Sequence, residues 1–216
     1  MNIILFGPPG AGKGTQADNL VKNLSLHKIS TGDLLRDEVK KKSVLGMNIK
    51  KIIDRGEFVP DEIINSFIDK IILNKTFSNR LIFDGYPRNL PQAEYLNTLI
   101  NKHDQKISCV LSLKVNKEIL LKRILGRQIC GKCGLIFNEY FKPSTPKNHS
   151  CDSIHLKKRS DDNESTIIER YDTYLNKTLP ILNFYKKLKL LYEINGDAEI
   201  NEIYSQIQVI IASLEA

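Results

Sequence analysis

Strands alternating with helices predict an α/β protein, a five-stranded parallel sheet flanked by helices on both faces. Three observations carry that prediction. An apolar segment, Asn2-Ile3-Ile4-Leu5-Phe6, runs straight into a glycine-rich loop and then a helical stretch. Strand-like segments recur at 27–30, 81–83, 107–115 and 190–195. The stretches between them have helical periodicity, clearest in Ile63, Ile64, Phe67, Ile68, Ile71 and Ile72, which share one face. Parallel strands are joined by crossover helices that bury both sheet faces, so they read as apolar runs.

In chain order, the first strand is followed by a helix over 13–23 and a short second strand. Residues 33–54 read as mostly helical, with Gly46 and Gly56 as punctuation. Pro60-Asp61-Glu62 has the proline and early acids of a helix start. The third strand enters Asp84-Gly85-Tyr86-Pro87-Arg88, and Pro91 opens the next helix. Asn116 is a cap for a helix reaching about Gly126. From 127 to 159 glycine, proline, cysteine and short aromatic segments replace the helical period, which predicts a small β-rich insertion. A long helix is expected from about Asp162, then the fifth strand, a Gly196-Asp197 turn and a closing helix over 199–214.

The 216 residues suit one domain with insertions, and 26% charged against 41% hydrophobic residues suits a water-soluble protein. No apolar run approaches the ~20 residues of a membrane span, and Met1–Phe6 has no basic leader, so a cytoplasmic location without membrane attachment is expected. The net charge of +7 reads first as a lysine-rich solvated surface. No basic run is interleaved with aromatics, which argues against a nucleic-acid partner.

Gly7-Pro8-Pro9-Gly10-Ala11-Gly12-Lys13 has the spacing of a phosphate-binding loop, although Gly14 stands where Ser or Thr is usual and Thr15 follows one place later. Glycines let successive backbone N–H groups point inward, the following helix offers its positive end, and Lys13 adds a mobile charge. Asp84 ends a parallel strand beside that loop, where a carboxylate can hold Mg²⁺ or its waters. Arg36, Arg88, Arg123, Arg127, Arg159 and Arg170 stand out by position. The four-residue spacing of Arg123 and Arg127 puts them on one helix face at the entrance to the insertion, and the eleven-residue spacing of Arg159 and Arg170 does the same if that helix is continuous. Pairs at both ends of one insertion would converge on a phosphate.

Together these segments resemble the adenylate kinase family in its long-lid form. The resemblance covers essentially the whole chain and rests on six segments in order: 7–16, Ser30-Thr31-Gly32-Asp33-Leu34-Leu35-Arg36, Gly56-Glu57-Phe58-Val59-Pro60, Asp84–Arg88 with Gln92, Arg123-Ile124-Leu125-Gly126-Arg127, and Arg159-Ser160-Asp161-Asp162-Asn163-Glu164. Glycine at position 14 is normal in that family. The resemblance implies a core with two flaps, a helical monophosphate-binding segment over 30–59 and a lid over 129–159, in a monomer. It implies reversible transfer from Mg-ATP to AMP giving two ADP. By matching position, Gly10, Ala11, Gly12, Lys13, Gly14, Thr15, Arg127, Ile136, Phe137 and Ala198 would contact ATP. Thr31, Arg36, Glu57, Phe58, Val59, Gly85, Tyr86, Pro87, Arg88 and Gln92 would hold AMP, with Arg159 and Arg170 spanning the phosphates. Lys13, Arg88, Arg123, Arg159 and Arg170 would surround the transferred group, and Asp84 would order the metal's shell.

Cys130-Gly131-Lys132-Cys133 and Cys151 lie in the insertion, and zinc lids of the family carry a fourth ligand three residues after the third cysteine. That position is Ile154, so His155 is the expected substitute for a structural Zn²⁺ site, ahead of His149 and Asp152. The alternative is a lid held by packing with three free thiols. Cys109 reads as a buried strand residue. Two functional alternatives stay open: transfer to another monophosphate such as UMP or CMP, and a non-catalytic nucleotide-binding protein.

Overall fold

In the computed structural model the described residues are 1–55, 57, 59–159 and 161–215. The elements run β1 Asn2–Phe6, α1 Lys13–Leu24, β2 His27–Ser30, α2 Thr31–Lys40, α3 Val44–Asp54, α4 Asp61–Ile72, β3 Leu81–Asp84, α5 Leu90–Lys102, β4 Ile107–Lys114, α6 Lys117–Leu125, β5 Arg127–Cys130, β6 Ile136–Asn138, β7 Leu156–Lys157, α7 Glu164–Thr173, α8 Ile181–Lys187, β8 Leu191–Asn195 and α9 Ile200–Glu215. The main sheet has five parallel strands in the order β2-β3-β1-β4-β8. The expected α/β architecture is therefore the observed one.

Side chains alternate across β1 and separate two cores. Ile4 and Phe6 face a core with Ile29, Phe83, Val110, α4, α5 and α8. Ile3 and Leu5 face the other, with Ile82, Leu111, α1 and α9. Burial on both faces is why the strands carry no polar period. The chain order reverses at β1, which pairs with β3 on one side and β4 on the other. A crevice opens beyond the carboxyl ends of strands at such a switch point.

Three local outcomes differ from the sequence expectation. The helical stretch over 33–54 breaks at 41–43 rather than at Gly46, because Ser43 accepts from Gly46 N (2.9 Å) and restarts the helix as an N-cap. Gly46 is the close-packing point instead, since a Cβ there would lie 2.4 Å from Glu38 O on α2. The long helix expected from about Asp162 begins at Glu164 behind Asn163, whose side chain accepts from Thr166 N. It continues as a π-helical segment, Tyr174–Thr178, and ends before Pro180.

The insertion folds as a second, three-stranded antiparallel sheet in the order β6-β5-β7. It enters directly from α6, through Gly126, so the lid is anchored to the helix that flanks the glycine-rich loop. Among the described residues no helix is long and apolar enough to cross a membrane.

Candidate active site

The glycine-rich loop follows β1 at the switch point and feeds α1 at Lys13. Gly10 (φ +81°) and Gly12 (φ +90°) adopt left-handed backbone that only glycine takes without strain. A Cβ at Gly10 would strike Ile124 Cγ1 at 2.6 Å, whereas nothing lies within 4 Å of one at Gly12, so the loop packs on α6 on one side and opens into a cradle on the other. The first turn of α1 has no side-chain cap and no acid, which leaves its N–H groups and positive dipole end for an anion. Lys13 Nζ folds over this cradle, donating to Gly7 O (2.7 Å) and Pro8 O (3.0 Å).

Loop, flap and lid together line one large cleft. It takes in Gly10 to Thr15, Arg36, Asp84, Gly85, Arg88, Arg123, Arg127, Ile136, Phe137, Arg159, Arg170 and Ala198. Burial pulls the Lys13 ammonium down to about 8, opposed by Asp84 and reinforced by Arg88, Arg170 and Arg127. Burial likewise lowers Arg88 to about 10, with Arg170 next in effect, and lowers Arg159 to about 10, with Arg127 and Arg36 adding repulsion. Arg170 is depressed by burial, which Asp161 opposes. The guanidiniums remain charged at neutral pH, so the cleft concentrates positive charge at one place.

Most of these cations are positioned by named partners. Arg88 Nε donates to Gly85 O (2.7 Å), while Arg88 N donates to Gln92 Oε1 (2.7 Å) and Thr178 Oγ1 donates to Arg88 O (2.8 Å). Thr31 Oγ1 donates to the same Gly85 carbonyl (2.8 Å). Arg127 makes a two-pronged pair with the fully buried Asp162, and Arg170 Nη1 donates to Asp161 Oδ2 (2.7 Å). Arg36 pairs with Asp33. Arg159 Nε is buried without a hydrogen-bond partner among the described residues, a position an anion would satisfy.

The structure does not bring Arg123 into this group. It faces Asp197 and Glu199 and donates to Gly196 O (2.8 Å) and Ala198 O (3.4 Å), with its guanidinium 5.4 Å from the Phe141 ring centre. Arg123 and Arg127 share no helix face because α6 stops at Leu125 and Gly126 turns Arg127 into β5. Arg159 lies in the segment before α7 and shares no helix with Arg170. The arginine convergence around 127, 159 and 170 therefore comes from loops and from Asp161 and Asp162, not from helix phase. Sequence reasoning gave no role to those two acids, to Phe141 or to Lys28, although the acids stood inside a quoted motif.

A smaller cavity is lined by Thr31, Leu35, Val59, Ile64, Gly85, Arg88 and Gln92. Tyr86 is buried with its hydroxyl donating to Asn65 Oδ1 (2.7 Å), and Pro87, also buried, joins it by a cis peptide. Glu57 is exposed and pairs with Arg55. Phe58, expected among the AMP contacts, lies outside the described residues, as do Gly56 and Ser160.

Asp84 ends β3 with its Oδ2 3.6 Å from where a Cβ on Gly14 would stand. One carboxylate beside an open phosphate cradle is the donor set of Mg²⁺ held mainly by waters and substrate phosphates. In the lid, the ligand atoms of Cys130, Cys133, His149 and Cys151 lie within 4.8 Å of one another. His149 Nε2 is 3.5 Å from Cys133 Sγ, close to the ~3.6 Å edge of a tetrahedral Zn²⁺ site. Ser144 Oγ engages His149 Nδ1 (2.8 Å), which fixes the ring with Nε2 toward the sulfurs. The backbone N–H groups of Cys133 and Lys132 lower the Cys130 thiol to about 6, favouring the thiolate a metal needs. His155 is displaced from the expected set: it lies in the Ser153–His155 turn, where its carbonyl accepts from Gly131 N (2.8 Å), and the histidine that joins the cysteines is His149.

The family model for adenylate kinase matches residues 5–190. The chain belongs to the adenylate kinase family. It is 49% identical over 211 residues to the adenylate kinase of Pelagibacter ubique, covering 98% of this chain and 99% of that one. It is 40% identical over 216 residues to the adenylate kinase of Methanocella arvoryzae and 35% identical to that of Limosilactobacillus fermentum, each over 99% of this chain and the whole of the relative.

The depressed Lys13 ammonium generates a prediction. A triphosphate placed against it raises its proton affinity, so ATP binding near pH 8.5 should take up a proton. Titration calorimetry in two buffers of different ionisation enthalpy would read a positive proton number, and Lys13→Met should abolish it; equal uptake in the variant would assign the proton elsewhere.

Proposed function

We propose that this chain transfers the γ-phosphoryl group of Mg-ATP in line to AMP, reversibly, giving two ADP. The observation that carries it is the junction of two cavities at Arg88: the large cleft holds the phosphate cradle, the small one abuts Gly85, Gln92 and Thr31, and Arg88 lines both. A donor seated in the first and an acceptor in the second would place their phosphates on either side of its guanidinium.

Lys13, Arg88, Arg127, Arg159 and Arg170 then surround the transferred group and offset its charge, while Arg36 draws the acceptor phosphate. The chemistry of such a transfer needs positioning and electrostatic stabilisation, and no covalent intermediate. Mg²⁺ beside Asp84 would supply charge neutralisation between the β- and γ-phosphates. Arg123 has a different task. Its guanidinium, held flat by the carbonyls of Gly196 and Ala198 and set against Phe141, is suited to cover a base, with Ile136, Phe137 and Ala198 walling the slot. Residues 30–59 and 129–159 act as closing flaps that exclude water. The same reading makes the protein a monomeric cytoplasmic enzyme that binds nucleotides, with no nucleic-acid or membrane partner.

In the lid we assign Zn²⁺ to Cys130, Cys133, His149 and Cys151, where it would tie the turn after β5 to the loop before β7. Its role is structural, since none of the four lines the cleft.

Two measurements test these readings. In a coupled assay with Mg-ATP and AMP, GMP, CMP or UMP, AMP is the expected acceptor, and Arg88→Ala is expected to cut turnover by about 10³-fold or more with the fold retained. A different preferred monophosphate, or near-normal ADP formation by the variant, would overturn the reading. Metal analysis of the purified protein should find one zinc per chain, lost in His149→Ala and kept in His155→Ala; the reverse pattern, or no stoichiometric zinc, would remove His149 from the site.

A further inference from the structure

The small cavity poses a recognition problem that its lining residues do not solve by themselves. Gln92 is the only side-chain amide among the described residues lining it, and it is almost fully buried. An amide can present its oxygen and nitrogen in either order. Adenine offers an acceptor at N1 and a donor at its 6-amino group; a 6-oxopurine offers a donor at N1 and an acceptor at O6. A glutamine free to turn over would therefore read both bases equally well.

We infer that Asp61 is a positioning residue that holds the Gln92 amide in the order that reads adenine and rejects a 6-oxopurine. The inference rests on the assignment of AMP as acceptor and names the basis of that selectivity. Gln92 Nε2 donates to Asp61 Oδ1 (2.6 Å), and Gln92 Oε1 accepts from Arg88 N (2.7 Å). A carboxylate only accepts and a backbone N–H only donates. Turning the amide over would set oxygen against oxygen at Asp61 and N–H against N–H at Arg88, two opposed contacts in a buried place. After both bonds are made, one N–H of Nε2 and one lone pair of Oε1 remain for the base edge.

Asp61 is itself held for this task. Asn89 Nδ2 donates to both its oxygens (3.1 and 2.9 Å), and Asn89 Oδ1 caps α5 by accepting from Gln92 N (2.8 Å). The first residue of α4 is thereby tied to the start of α5, and Gln92 is gripped by its backbone and by both ends of its side chain. Asp61 does not line the cavity among its described residues, so it acts on the base only through Gln92.

The test compares AMP with IMP, which differ at the 6-position and the N1 proton. Wild type should strongly prefer AMP in kcat/KM. Asp61→Asn offers Gln92 either a donor or an acceptor, so the AMP:IMP ratio should fall about tenfold, chiefly through the KM for the monophosphate, with the KM for ATP unchanged. A loss of folded protein cancels in the ratio, and Asp61→Ser, smaller and equally able to donate or accept, should lower it to the same degree if the asparagine variant does not fold. An AMP-preferring wild type whose ratio is unchanged in these variants overturns the role of Asp61 alone. A wild type that uses IMP as well as AMP overturns the acceptor assignment and this inference with it.

Discussion

The organising constraint on this molecule is the gathering of cations in a cleft that water only partly reaches. Burial is the largest cause of the shift in Lys13, Arg88, Arg159 and Arg170, and the neighbouring guanidiniums of Arg36, Arg88, Arg127 and Arg170 add like-charge repulsion on them. Desolvation and like-charge repulsion both oppose such an arrangement. It persists because the surrounding structure over-determines it: Asp161 and Asp162 hold two arginines, carbonyls hold Lys13 and Arg88, and the strand ends fix where these segments start. The destabilisation is local and serves the site, since an anion entering the cleft relieves it.

The sheet makes this possible by what it places at one edge. β1 delivers the glycine-rich loop, β3 delivers Asp84 and Gly85, and β2 delivers Ser30 to the start of α2, all at carboxyl ends. The uncapped N-terminus of α1 adds positive charge that no side chain supplies. The lid arrives by a different logic: Gly126 ends α6 and redirects the chain into β5, so the helix that packs on Gly10 also carries the flap. Arg123, at the last turn of that helix, is held by the carbonyls of Gly196 and Ala198.

How much of this was legible in the sequence follows from how local each signal is. The five strands, the phosphate loop and the Asp84–Arg88 turn are contiguous, and their spacing alone located them. Helix phase failed for Arg123 with Arg127 and for Arg159 with Arg170, because Gly126 decided where α6 ends and the Asn163 cap where α7 begins. The lid histidine was misassigned for a related reason. His155 is nearer the position a zinc lid uses, but the turn at 143–149, closed by Asn148 to Pro143 O and His149 N to Thr145 O, swings His149 onto the cysteines. Long-range partners such as Asp61 with Gln92, thirty-one residues apart, leave no spacing signal at all.

The central claim is that the cleft is a preformed seat for a polyphosphate, short of a counter-charge. Thermal unfolding with inorganic tripolyphosphate, free of nucleotide, tests it most directly. At about 100-fold over its dissociation constant the anion should raise the midpoint by about 5–10 °C, an effect that shrinks with added salt and is largely lost in Lys13→Met. A midpoint that does not move, or that moves as far in Lys13→Met as in the wild type, would contradict the account.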